Sequence, residues 1–117
     1  MTKKVTLADK FAAFSETWAP RIVARYEGHE VRIARLEGAF DWHSHTHDEL
    51  FLCLDGELDI EFRERTETLH PGDLLLIAAG EEHKPVARKG EVQVLLLDPA
   101  NAPNTGDEKT ATIAVEA

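Results

Sequence analysis

The stretch HSHTHDELFLCLDG, residues 43 to 56, changes character in its middle. Its second half alternates, with Phe51 and Cys53 on one parity and Leu50, Leu52 and Leu54 on the other, and it closes on Asp55-Gly56, a pair suited to the positive-φ corner of a tight hairpin. That pattern predicts a β-strand running into a turn. Its first half sets histidines at every second position. On an extended chain, residues i and i+2 point the same way about 7 Å apart, so His43 and His45 can tilt onto one ion. If residues 46 to 48 form a hairpin turn, Glu49 lands on the neighbouring strand beside them. A fourth ligand has to come from farther along the chain, where His70 and His83 are the histidines on offer.

The same grammar extends outward. RIVARYE, HEVRIARLE, ELDIEFRER, DLLLIA and EVQVLLLD are brief runs rich in β-branched or alternating residues. Glu27-Gly28, Glu37-Gly38, Pro71-Gly72-Asp73, Gly80 and Lys89-Gly90 punctuate them as turn signals. Such close spacing leaves no room for crossover helices, so the strands should pair antiparallel in a sandwich or small barrel of six to ten strands. One segment reads as a helix, residues 6 to 18, with Leu7, Phe11, Phe14 and Trp18 on a single face. The residues after Leu97 lose periodicity until a possible last strand near Thr110 to Val115. No repeat or second domain is evident, and the whole chain, 1 to 117, reads as one domain with a C-terminal extension from residue 98.

Charge and cysteine content narrow the function. With 22 acidic against 13 basic residues the net charge is −9, which repels phosphate backbones and anionic lipid, so neither nucleic acid nor membrane is an expected partner. No apolar run has the length of a bilayer span, and the lone Cys53 offers no internal disulfide, which suits a reducing, cytoplasmic setting.

Read with its glycines, the chain resembles the cupin superfamily. HSHTHDELFLCLDG is similar to the first cupin motif, G-x5-H-x-H-x3,4-E-x6-G, and GDLLLIAAGEEH, residues 72 to 83, to the second, G-x5-P-x-G-x2-H-x3-N. Four residues separate Gly38 from His43 where the motif has five, Ala78 stands at the motif's proline and Ala87 at its asparagine; none of these is a ligand position. The likeness covers about residues 30 to 97. Among single-domain members of this length it extends to an N-terminal KF…F…W…P.IV pattern and to Asn104-Thr105-Gly106. The resemblance implies a double-stranded β-helix, or jelly-roll barrel, and assigns one divalent transition metal to His43, His45, Glu49 and His83. Three imidazoles and a carboxylate suit Fe, Mn, Ni, Co, Cu or Zn and leave positions open for water or a chelating substrate. The expected function is a small metal-dependent enzyme, such as a dioxygenase, isomerase or lyase, acting on an oxygenated small molecule; the alternative is a module that binds a ligand or metal without turnover.

Several residues carry further expectations. His47 falls in the turn, facing solvent, serving behind the ligands or standing as a spare ligand, and His29 and His70 read as surface histidines. Asp41 shares parity with His43 and should point inward, to hold an imidazole or to act as acid or base, unless a bulge turns it out. Phe51 and Cys53 should pack in the core. Trp42, with outward Leu50, Leu52 and Leu54, makes an apolar row that a homodimer would cover.

Overall fold

A computed structural model describes residues 1 to 100, 102 and 115 to 117. It contains a short helix, α1 (Leu7–Ala12), and eight strands: β1 (Arg21–Tyr26), β2 (His29–Ala39), β3 (Glu49–Asp55), β4 (Leu58–Phe62), β5 (Thr66–Leu69), β6 (Leu74–Ile77), β7 (His83–Pro99) and β8 (Val115–Glu116). All pairings are antiparallel except β1 with β8. This is the jelly-roll barrel with one short helix. Of the last strand expected at 110 to 115, only its end falls among the described residues, and Asn104 to Gly106 lie outside them.

β7 organises the barrel. Its first residues pair with β4, Val86 opposite Asp59, and its later ones with β3, Leu97 opposite Leu50, while β2 follows it along nearly its whole length. Two predicted turns are therefore something else. Gly38, at φ 72°, sits at a register shift inside β2, and Lys89-Gly90 lies in the stretch of β7 opposite it. The positive-φ residues bend both strands around the barrel's corner rather than ending them, as a bulge does. Gly56 keeps its predicted place in the β3–β4 turn, and a Cβ there would come within 3.0 Å of the Glu91 carbonyl oxygen.

The predicted helix stops early because its carbonyls are taken. The Arg35 guanidinium donates to the Phe11 carbonyl (2.7 Å) and to the Phe14 carbonyl (3.0 Å), satisfying groups that another helical turn would have used. The chain then turns, and Trp18 stacks on Phe40 with ring centroids 4.7 Å apart, away from the helix face on which spacing alone placed it.

Inward residues of both sheets form the core: Phe51, Cys53, Leu58, Ile60, Leu69, Val92 and Val94 are all buried. The two outward faces differ. On β4, β5 and the start of β7, Arg88 pairs with Asp59 (2.9 Å) and with Glu61, and Thr68 donates to Asp59 (2.7 Å). Across β6, β3, β7 and β2, the register instead aligns Leu76, Leu50, Leu97 and Val31 in one row and Leu74, Leu52, Leu95 and Ile33 in the next. α1 covers the β2 end of those rows: Phe11 is buried with Val23 and Ile33, and Val31 and Leu54 pack against them.

Candidate metal centre

Residues 40 to 48 form no regular strand, so the parity argument that put His43 and His45 side by side rests on other geometry. His43 is joined to the head of β7 by a reciprocal pair of backbone hydrogen bonds with His83, at 3.0 and 2.9 Å. Gly80 donates its N–H to the His45 carbonyl (2.8 Å), and Ala79 donates to the Asp48 carboxylate (2.9 Å). The loop before β7 thus laces the histidine segment into place, and Glu49 follows as the first residue of β3.

One ligand atom from each of His43, His45, Glu49 and His83 lies within 4.8 Å of the others. His45 Nε2 is 3.4 Å and His83 Nε2 3.5 Å from Glu49 Oε1. His45, Glu49 and His83 are buried and His43 partly so. Two tautomers are fixed locally: His43 Nδ1 bonds the Asp41 carbonyl and His83 Nδ1 the Glu81 carbonyl, each at 2.9 Å. A carbonyl only accepts, so each Nδ1 carries the hydrogen and each Nε2 offers its lone pair to the centre. Burial pulls the His43 imidazole down to about 4, outweighing its bond to Asp41, and keeps it neutral and ready to ligate. Burial alone would raise the Glu49 carboxyl, but the facing His45 and His83 overturn that and hold it well below the usual range.

Buried polar atoms almost always find partners, yet His45 Nδ1 and Nε2, Glu49 Oε1 and His83 Nε2 have none. A cation at their common centre supplies a partner to the converging Nε2 and Oε1 atoms, so the residues fit a metal.

Other expected site residues fall elsewhere. Asp41 is exposed; it contributes its backbone carbonyl, not its carboxylate, and because its segment is irregular, parity with His43 does not carry it inward. His47 is half-buried rather than free in solvent, its ring stacked on His45 at 5.0 Å, outside the four-residue cluster. Trp42 lies under the Arg63 guanidinium (3.8 Å), so its cover comes from its own chain. His29 and His70 are exposed, and Phe51 and Cys53 are in the core.

Sequence reasoning missed a second polar group. Glu30, Arg32 and Asp98 are 2 %, 1 % and 3 % exposed and face the interior. Arg32 donates to Glu30 Oε1 (2.7 Å) and to the Ala102 carbonyl (2.9 Å), with Asp98 at 3.6 Å. Burial, reinforced by the charge of Glu49 beside it, pushes Asp98 up to about 8 against the pull of Arg32. Among the described residues the buried carboxylates are Glu30, Glu49 and Asp98, against the single guanidinium of Arg32, an excess of negative charge that a divalent cation balances when all are ionised. The available signal was that Val31 and Ile33 already claim the apolar parity of β2, leaving Glu30 and Arg32 to share the other.

A cavity of about 40 Å³, partly open to solvent, adjoins the centre. His43 and Glu49 form one part of its wall, Arg32 and Asp98 another, and Trp18, Phe40, Phe51 and Leu96 supply apolar sides. The cavity thus sets a few polar groups at fixed positions in an apolar surround, the usual make-up of a small-molecule site.

Residues 29 to 98 match the family model described as the cupin domain. The chain is 42 % identical over 64 residues to an uncharacterised protein, YdbB, of Bacillus subtilis, a match spanning 53 % of this chain and 57 % of that one. It is 35 % identical to a solved cupin-2 domain protein of Shewanella frigidimarina, with a TM-score of 0.79, covering 81 % of this chain and 93 % of that one. A hydroquinone 1,2-dioxygenase of Sphingomonas sp. TTNP3, solved with 4-hydroxybenzoate bound, shares the fold at 18 % identity and a TM-score of 0.67, over 77 % of this chain and 70 % of that one.

Proposed function

This chain belongs to the cupin domain family, and from that premise we propose that it is a small metal-dependent enzyme in which His43, His45, Glu49 and His83 hold one divalent transition ion beside a pocket for an oxygenated small molecule. The observation that carries the reading is the set of converging, buried and partnerless Nε2 and Oε1 atoms of His45, Glu49 and His83, of which Glu49, together with His43, also lines a mostly apolar cavity. Fe, Mn, Ni, Co, Cu and Zn all suit this ligand set. When bound, such an ion polarises a ligand oxygen or, if redox-active, couples substrate to O₂, the chemistry of isomerases and lyases on one side and oxygenases on the other. The protein's own part is to keep Nε2 of His43 and His83 free through the Asp41 and Glu81 carbonyls, to exclude water with Phe40, Phe51 and Leu96, and to present Asp98 and Arg32 to the bound molecule. The lone, buried thiol of Cys53 suits a reducing cytoplasm.

One observation favours a second reading, a binding module without turnover: Asp41, the acid or base expected from the sequence, is exposed, which leaves Asp98 as the carboxyl of the cavity wall outside the ligand set. The test is elemental analysis of protein purified without tag or chelator, followed by O₂ uptake and product analysis with catechols, 1,3-diketones and keto sugars. Near-stoichiometric metal with turnover of any of these supports the enzyme; metal with tight binding and no turnover supports the module. Protein that takes up no transition metal even when one is supplied refutes the metal-dependent enzyme.

A further inference from the structure

Asp98 lines the cavity beside the metal centre and keeps one oxygen unclaimed. From this we propose that the cavity takes an uncharged molecule that presents a hydroxyl group to Asp98, close to the oxygen it turns toward the centre. The inference rests on the metal reading of His43, His45, Glu49 and His83 and names what that site receives. Asp98 is 3 % exposed, and its Oδ1 has no hydrogen-bond partner among the described residues. Asp98 stands opposite Glu30, and its neighbour Leu97 opposite Leu50, so Glu49, Asp98 and Glu30 follow one another across β3, β7 and β2 in one inward row. Like charges set directly opposite each other destabilise a sheet, so burial of this row does not serve stability. A ligand group that bonds Oδ1 gives it a use.

The surrounding groups select the ligand. Arg32, in the same wall, gives Nε and Nη2 to Glu30 Oε1 (3.2 and 2.7 Å) and Nη1 to the Ala102 carbonyl (2.9 Å). The fork that would grip a ligand carboxylate or phosphate at two points is thus engaged within the protein. A hydroxyl suits Asp98 on other grounds. It donates to an ionised carboxyl and accepts from a protonated one, so it satisfies Oδ1 in either state, whereas a ligand carbonyl or ammonium serves one state alone. Size points the same way: about 40 Å³ has room for a few water-sized groups, so the enclosed part of the ligand is a pair of oxygens with the carbons joining them. Glu49 and Asp98 lie on adjacent strands, ~4.8 Å apart, which puts those oxygens on neighbouring carbons or on carbons one apart. Phe51 and Leu96, opposite each other in the next row, line the cavity against the carbon skeleton.

Isothermal titration calorimetry of the zinc-loaded full chain tests this with two sets of probes: catechol, its monomethyl ether and salicylate, and hydroxyacetone, methoxyacetone and pyruvate. In each set the first member offers the hydroxyl, the second blocks it with a methyl group and the third carries a carboxylate in its place. In at least one set the hydroxyl member is expected to bind about tenfold or more tighter than its two relatives. Asp98→Leu, similar in size but without an oxygen, should erase that preference, and Asp98→Asn, whose amide still donates and accepts, should keep part of it. Circular dichroism and zinc content check that each variant is folded and loaded, and Asp98→Ala replaces Asp98→Leu if that one does not fold. A preference that survives loss of the carboxyl is one of shape and overturns the proposal. So does a wild type that binds no probe or favours the carboxylates. Wild type with a full zinc complement and no hydroxyl preference refutes this inference and leaves the metal centre standing, whereas protein that takes up no transition ion removes the metal reading and this inference with it.

Discussion

The two halves of the barrel interior follow opposite rules. Around Cys53, Leu58, Ile60, Leu69, Val92 and Val94 every inward side chain is apolar and at most 4 % exposed. Around His45, Glu49, His83, Glu30, Arg32 and Asp98 the inward side chains are polar, equally buried, and several of their atoms lack partners. The first arrangement gains stability from burial at ~25 cal/mol per Å² of apolar surface; the second costs stability wherever a polar atom goes without a hydrogen bond. A chain folded for stability alone would fill both halves alike. The polar half is tolerable because the packed half supports it, and its deficit is what a bound ion relieves.

The widest test of that contrast is at the packed half. Leu58→Ala, at a fully buried position opposite Leu69, should lower the unfolding free energy by about 2–5 kcal/mol, by the same amount with metal and with chelator in urea titrations. A loss that depends on metal would mean the halves are not separate. Next in size is the ion itself. Supplied at 100 to 1,000 times its dissociation constant, metal should stabilise the wild type by about 2.7–4.1 kcal/mol, and His83→Ala should abolish that gain while changing the metal-free protein far less. Calorimetric scans of both proteins, loaded and stripped, give the comparison.

Asp98 offers a smaller effect with a definite sign. Its folded value, about 8, lies above the 3.8 of the free side chain, so between those limits the metal-free folded state holds a proton that the unfolded chain has released. This contribution to stability is fully present below about pH 3.8 and is lost as pH rises through 8. The melting difference between wild type and Asp98→Asn in chelator should therefore shift against the wild type from pH 5 toward pH 8, and a difference that stays flat shows Asp98 to be ionised throughout. Smallest of all is His47→Ala, expected within about 0.5 kcal/mol of wild type and still binding one metal per chain by elemental analysis. If His47→Ala empties the site while His83→Ala fills it, the local histidine run holds the ion instead.

What the sequence made legible was whatever local pattern governs. The strands, the Asp55-Gly56 turn and the grouping of His43, His45, Glu49 and His83 were readable because alternation and motif spacing survive without knowledge of neighbours. What was not readable depended on distant partners. Gly38 and Gly90 look like turn residues because a turn and a bulge want the same positive φ; only the pairing of β2 with β7 tells them apart. The helix shortened through Arg35, about twenty residues downstream of the carbonyls it takes. Asp41 went outward because its segment is held by backbone bonds to residues 83 and 85 and lacks strand pleat. Glu30 and Arg32 gave no site signal of their own in the sequence, since their pairing with Asp98 joins positions nearly seventy apart.

β7 has a consequence for how the chain is made. It pairs with β2, β3 and β4, and the pairing of His29 with Pro99 joins the two ends of a long loop. During synthesis at ~5–20 residues per second, the strands from residue 21 onward leave the ribosome for several seconds with no central partner. The barrel closes only when residues 83 to 99 arrive, and non-local closure of this kind is slow, on the order of milliseconds to seconds even for the finished chain. His43, His45 and Glu49 emerge long before His83, so a nascent chain can present an incomplete, weakly binding trio to any metal in its surroundings. If the mature protein holds an ion there, the four-residue set is complete only once β7 docks and brings His83 to the other three.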